Sequence, residues 1–172
     1  MLVLGIDPVT RQLGYGFVEQ RADDIQTHDY CTLRLQSSLS MEQRLYQIHS
    51  HIVNMISMFT PDEIAIEEPF LGHGSSQYIT PAFAIGQAQA AVLIAATSQN
   101  IPIFRYSPTQ VKSSVADHGT ATKAQVQAMV RMILSIGEPS IDPDAADALA
   151  IALCHLRQRE VKEILNQNSS PP

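Results

Sequence analysis

An apolar run long enough to cross a membrane, about 18 residues, is missing from this chain. The longest candidate, AFAIGQAQAAVLIAAT (82–97), carries Gln87 and Gln89 inside it. A leader is not expected either, because the N-terminus has no basic flank and Asp7 interrupts the first apolar run too early for a signal peptide. Cysteine is scarce. Cys31 and Cys154 form no metal or disulfide spacing and read as two buried free thiols, and no Cys/His set of the kind zinc prefers is present. These absences point to a soluble cytoplasmic protein. Internal repeats and an interdomain linker are also lacking, so 172 residues read as one domain with room for a real core. Positive charge is short as well: 11 Lys and Arg against 17 Asp and Glu, net −6, which in bulk argues against a nucleic-acid partner. The distribution argues otherwise. Residues 69–137 hold four basic side chains (Arg105, Lys112, Lys123, Arg131) and one acid (Asp117), net +3. The remainder holds seven basic and sixteen acidic residues, net −9, so a mildly basic middle lies between acidic flanks.

What is present is a clear succession of elements. Residues 2–7 read as a short apolar strand. GYGFVEQ (14–20) and IQTHDYCTLRL (25–35) have strand composition, and the three together suggest an antiparallel meander. Ser40 with Gln43 forms a capping box that opens a helix of about five turns, with Leu45, Ile48, Ile52, Ile56 and Phe59 at helical spacing. A strand follows at 62–68. LGHGSSQYITP (71–81) has loop chemistry, an Ala-rich helix covers 82–98, and a strand covers 101–107. Ser107 with Pro108 and Gln110, and then Thr122 with Gln125, start two more helices, the second reaching about Ile136. Asp142–Pro143 opens the helix DAADALAIALCHLRQ, and NQNSSPP ends the chain as a frayed tail. The order β-β-β-α-β-α-β-α-α-α predicts a mixed five-stranded sheet with helices packed on it.

Four acids stand in apolar surroundings. Asp7 ends the first strand, Glu67 ends AIE, and Asp144 and Asp147 lie on the most apolar helix, three residues apart and so on one face. Burying an unpaired carboxylate costs several kcal/mol. No matching Lys or Arg lies nearby in sequence, whereas two divalent cations would balance all four charges, and oxygen-only ligands suit Mg²⁺ or Mn²⁺. Asp142 is explained as an N-cap. Asp144 could simply favour the positive helix end, and alternation does not choose between Glu67 and Glu68.

LGIDP, GYG, AIEEPF, IGQAQ, PTQVKSSV, TKAQVQAMV and DAADALAIALCH, in this order and spacing, resemble the RuvC family of Holliday-junction resolvases over residues 2 to about 158. The resemblance implies an α/β ribonuclease-H-like fold, with three antiparallel strands first, then parallel strands, and helices on both faces. It implies a nuclease domain over 1–158 and a partly disordered C-terminal extension over 159–172. It also implies a structure-selective endodeoxyribonuclease that resolves four-way DNA junctions by paired symmetric nicks. Asp7, Glu67, Asp144 and Asp147 match the family's four catalytic, metal-binding acids, and this match selects Glu67 over Glu68. The implied cofactor is Mg²⁺, two ions per active site, with Mn²⁺ able to substitute. Asp7, central in the sheet, is expected to bridge the ions while a metal-activated water attacks the phosphate and leaves a 5′-phosphate. Lys112 and Lys123 match DNA-contacting positions; Lys123 falls at a helix N-terminus that already favours phosphate. Phe70 could stack on an unpaired base at the crossover. The implied assembly is a homodimer with two symmetric sites, and the implied partner is a RuvA–RuvB branch-migration complex. The stripe of Ala84, Ala88, Ala91 and Ala95 could face either the second copy or the chain's own sheet. His155, one turn beyond Ile151, is expected at a solvent edge, with support of the metal ligands as the alternative. The chain departs from the family pattern at Val9, where Gly is usual after GIDP, and at Gln89 and Ala90, where Arg and Gly are common.

Three rivals remain. Sugar kinases and actin-like ATPases share the first strand but need a second large domain. Another ribonuclease-H-like nuclease could act on RNA precursors. A protein that binds branched DNA without cutting it would lack one of the acids, and none is missing.

Overall fold

In the computed structural model, residues 1–22, 24–68, 79–137 and 141–168 are described. Strands β1 (Leu2–Pro8), β2 (Gln12–Arg21) and β3 (Asp24–Arg34) form the antiparallel meander. Then come helix α1 (Met41–Phe59), β4 (Glu63–Glu67), α2 (Ile79–Ser98), β5 (Ile103–Tyr106), α3 (Pro108–Ala116), α4 (Lys123–Ile133) and α5 (Pro143–Asn168). The sheet order is β3-β2-β1-β4-β5, with β4 parallel to β1 and β5 parallel to β4. The mixed five-stranded sheet and the element order are those the sequence predicts. The capping boxes at Ser40/Gln43 and Thr122/Gln125 form, and Ser107, expected as an N-cap before Pro108, also forms one with Gln110.

Strand alternation splits the core between the two faces of the sheet. Leu4 and Ile6 of β1 with Ile64 and Ile66 of β4 pack against Ile48 and Ile52 of α1 and Ala88 and Val92 of α2. Val3 and Ala65 point the other way, into a cluster with Leu149–Cys154 of α5 and residues of α3 and α4. Glycines let α5 lie on the sheet. A Cβ on Gly5 would stand 2.0 Å from the Ala148 carbonyl oxygen, and one on Gly14 would stand 2.0 Å from that of Asp144. The alanines of α5 complete this close approach: Ala145, Ala146, Ala148, Ala150 and Ala152 are all buried.

Several boundaries and burials differ from expectation. α4 stops at Ile133, because Ser135 turns left-handed (φ 52°) and the Ile136 N–H bonds back to the Arg131 carbonyl at 2.9 Å. Leu134 and Ile136 continue the apolar pattern past this Schellman-type end, and the αL position is held by Ser rather than Gly. α2 begins at Ile79, before the expected Ala82; Pro81 falls in the first turn, where N–H groups have no helical acceptor. α5 runs through residue 158 without a break and ends at Asn168. Cys31 is exposed, not buried, because β3 is an edge strand; Cys154 is buried. The Ala88, Ala91 and Ala95 stripe rests on the chain's own sheet and α1. Val9 closes the β1–β2 turn by donating to the Gln12 carbonyl at 3.2 Å without a positive φ, so this turn does not need glycine. Among the described residues no helix is long and apolar enough to cross a membrane.

Candidate metal centre and nucleic-acid interface

The same alternation that sorts the core aims the acids. In β1 Val3, Gly5 and Asp7 face α5, and in β4 Glu63, Ala65 and Glu67 do. Ile6 pairs with Ile66, so Asp7 and Glu67 are the next residues on adjacent parallel strands. Glu68 is exposed. On the helix side, Gly14 leaves room for the first turn of α5 to sit against β2, which brings Asp144 and Asp147 over the end of β1. Asp142 caps this turn: its Oδ1 accepts from the Asp144 N–H (3.1 Å) and the Thr32 hydroxyl (2.6 Å), and Arg34 pairs with Oδ2. It is therefore a fixed structural residue, neutralised where it stands.

Carboxylate oxygens of Asp7, Asp144 and Asp147 all lie within 4.8 Å of one another. Glu67 stands outside that tight group but lines the adjoining cleft of about 290 Å³ together with Asp147, Lys112, Lys123, Pro108 and Val126. The electrostatics are those of crowded acids. Asp7 is pushed up to about 6, first by burial, then by the charges of Asp147 and Asp144. Glu67 is pushed up to about 7 by burial and then by Asp7 and Asp147, with Lys112 and Lys123 opposing. Burial also raises Asp147, offset by Lys123, whose Nζ lies 2.6 Å from its Oδ2. Four carboxylates against one ion-paired lysine hold more negative charge than these side chains balance by themselves. The donor set is all oxygen, without Cys or His, and three of the four acids could reach one small ion. That set fits a hard divalent cation such as Mg²⁺ or Mn²⁺.

The structure thus brings Asp7, Asp144 and Asp147 together, sets Glu67 beside them and places Lys112 and Lys123 on the rim. Phe70 lies outside the described residues. His155 contradicts the expected solvent edge: it is fully buried, accepts from the Tyr106 hydroxyl at Nδ1 (2.6 Å) and donates through Nε2 to Glu63. The apolar packing of α5 over Phe104 and Tyr106 explains this. It lies two helical turns beyond Asp147 and away from the acids, about 12 Å along the axis. One contact at the site had no signal in the pattern of residues. Gln89, buried on α2, donates its Nε2 to the Glu67 main-chain carbonyl at 2.7 Å and fixes the end of β4.

The model of one protein family, crossover junction endodeoxyribonuclease RuvC, matches residues 3–155. The chain belongs to the RuvC family. It is similar to the crossover junction endodeoxyribonuclease RuvC of Dehalococcoides mccartyi, 41% identical over 97% of this chain and 98% of that one. The RuvC of Syntrophomonas wolfei is 37% identical over 99% and 96%. Among solved structures, Thermus thermophilus RuvC in complex with a Holliday junction substrate superposes with a TM-score of 0.86 at 33% identity, covering 94% of this chain and 96% of that one. The yeast mitochondrial resolvase Ydc2, at 19% identity and a TM-score of 0.67, shares the fold. Membership in a family of RuvC nucleases agrees with an acid cluster at the carboxyl ends of β1 and β4.

Proposed function

We propose that this chain is a cytoplasmic, Mg²⁺-dependent endonuclease that resolves four-way DNA junctions by paired symmetric nicks in recombination and repair. One observation carries the reading: Asp7, Asp144 and Asp147 meet within 4.8 Å, with Glu67 beside them, in a RuvC chain. These four would hold two divalent ions. When bound, such ions activate the attacking water and neutralise charge on the phosphate and leaving oxygen. Mn²⁺ has the same donor preference and would substitute for Mg²⁺.

The chain's own residues supply the rest. Asp142, held by Thr32 and Arg34, and Gly14, by its bare surface, fix the turn that carries Asp144 and Asp147. Gln89 fixes the strand end that carries Glu67. Lys112 and Lys123 line the cleft and would hold the DNA backbone on either side of the scissile phosphate. Without ions the four acids outweigh the two lysines and repel phosphate; with two divalent ions the sign reverses. Phe70, shortly after Glu67 in the chain, would stack on a base exposed at the crossover.

Two symmetric cuts call for two sites, and a two-fold dimer supplies them. The surface that favours it is an apolar groove between α1 and α2, lined by Leu45, Tyr46, His49, Gln87, Ala90 and Ile94. Tyr46, Ile94 and neighbouring Phe83 are all largely exposed there. Residues 1–158 would form the nuclease domain and 159–172 an extension. A RuvA–RuvB partner rests on family membership alone.

The test is a labelled mobile junction incubated with and without Mg²⁺, beside linear duplex and RNA hairpin controls. Paired nicks in the junction alone, only with metal, are expected. Asp7→Asn should still bind the junction but cut it at least about a thousandfold more slowly, the scale of several kcal/mol of lost charge stabilisation. Preferential cutting of the RNA, or binding without cutting, would overturn the reading in favour of an RNA nuclease or a binding protein.

A further inference from the structure

Lys123 occupies the first position of α4, and its Nζ lies 2.6 Å from Asp147 Oδ2. The helix itself does not call for this lysine. Its N-terminus is already capped by Thr122 and Gln125, and a cation there faces the positive end of the helix dipole. The acids of the neighbouring element hold it instead. An ammonium seated on a carboxylate that would ligate a metal competes for the same lone pairs. The lysine side chain remains 59% exposed and hangs on a flexible four-carbon stem, so it can leave Asp147 without disturbing α4. Lys112 lines the same cleft from α3 but forms no ion pair with any described acid, so the two lysines are not equivalent.

We propose that Lys123 is a tethered counter-cation of the metal centre: it covers Asp147 while divalent ions are absent and is displaced toward the DNA backbone when they load. The inference rests on the metal-centre reading and goes beyond it. Lys123 is then a positioning residue with two opposed effects. It weakens metal binding to the free protein, and it ties metal loading to the gain of one phosphate contact.

The test is Mn²⁺ titration of the DNA-free protein, followed by the electron paramagnetic resonance signal of free Mn²⁺. Lys123→Met should tighten Mn²⁺ binding about tenfold, the scale of losing a unit charge pair at the 2.6 Å Lys123–Asp147 separation with water-like screening. Lys123→Arg should stay near the wild type, and Lys112→Met should tighten binding less than Lys123→Met. In junction binding with non-cleaving Ca²⁺, the increase in salt slope on adding metal should be smaller in Lys123→Met by about 0.9, one phosphate contact. Unchanged or weaker Mn²⁺ binding in Lys123→Met overturns the proposal, as does an effect equal to that of Lys112→Met, which would mean a general field only. Asp147→Asn separates the two levels. If it weakens Mn²⁺ binding while Lys123→Met has no effect, only the lysine proposal falls; if the wild type binds no Mn²⁺, the metal-centre reading falls with it.

Discussion

Helix α5 carries a cluster of ionisable side chains at each end of its sheet-facing stretch, and strand β4 gives one glutamate from the same face to each. At the far end Glu63 meets His155 and Arg159, and both carboxylate oxygens are paired: Arg159 lies 2.7 Å from Glu63 Oε1, His155 bonds the other oxygen, and Tyr106 completes the imidazole. Burial holds His155 below its ordinary value and lifts the Tyr106 phenol to about 12, which suits a neutral ring between a hydroxyl donor and a carboxylate. At the near end Glu67 joins Asp7, Asp144 and Asp147, with Lys123 the one cation in direct contact among the described residues. The fold can therefore balance buried charge on these elements, and does so two turns away. Leaving the near cluster in excess marks it as completed by something other than side chains.

The contrast can be broken from either end. His155→Phe should have the largest effect on stability, a loss of about 2–4 kcal/mol in denaturant unfolding, because Glu63 and Tyr106 lose buried partners. Mn²⁺ affinity should stay at the wild-type value; a weakened affinity would mean that the two clusters are not independent. Gly14→Ala drives a methyl into the Asp144 carbonyl. It should lower stability by about 1–3 kcal/mol, the cost of overpacking. It should also weaken Mn²⁺ binding, since the turn bearing Asp144 and Asp147 must move. Equal Mn²⁺ binding in this variant would show that the near cluster does not depend on how α5 is seated.

Much of this was legible in the residues. Capping boxes at Ser40 and Thr122, and the N-cap Ser107 before Pro108, are local patterns that need no tertiary knowledge, so those helix starts are readable. The end of α4 was not, because Ser135 gives no glycine signal for its left-handed turn. Asp7, Asp144 and Asp147 could be picked out by apolar neighbours. Glu67 could not be separated from Glu68 by pattern alone in a strand buried on both faces, although its parity with Ala65 and Glu63 settles the face once the sheet is known. The residues around His155 do not reveal its burial, because its partners, Glu63 and Tyr106, are 92 and 49 positions away in the chain. Gln89 was visible only as a departure from a family pattern, and its bond to the Glu67 carbonyl is a purely tertiary fact.

The most direct test is thermal unfolding of the wild type and Asp7→Asn at several pH values, with and without Mg²⁺. Asp7 is raised from 3.8 to about 6 in the folded protein. Without metal, folding then binds a proton more tightly than the unfolded chain does. That advantage is present below about pH 4 and is lost as pH rises through about 6, costing about 2–3 kcal/mol by pH 8. The account predicts that at pH 8 the metal-free Asp7→Asn protein melts above the wild type, and that Mg²⁺ raises the midpoint of the wild type by clearly more than that of the variant. A wild type indifferent to Mg²⁺, or a metal-free variant that melts below it, would contradict the claim that these acids are gathered to hold divalent ions.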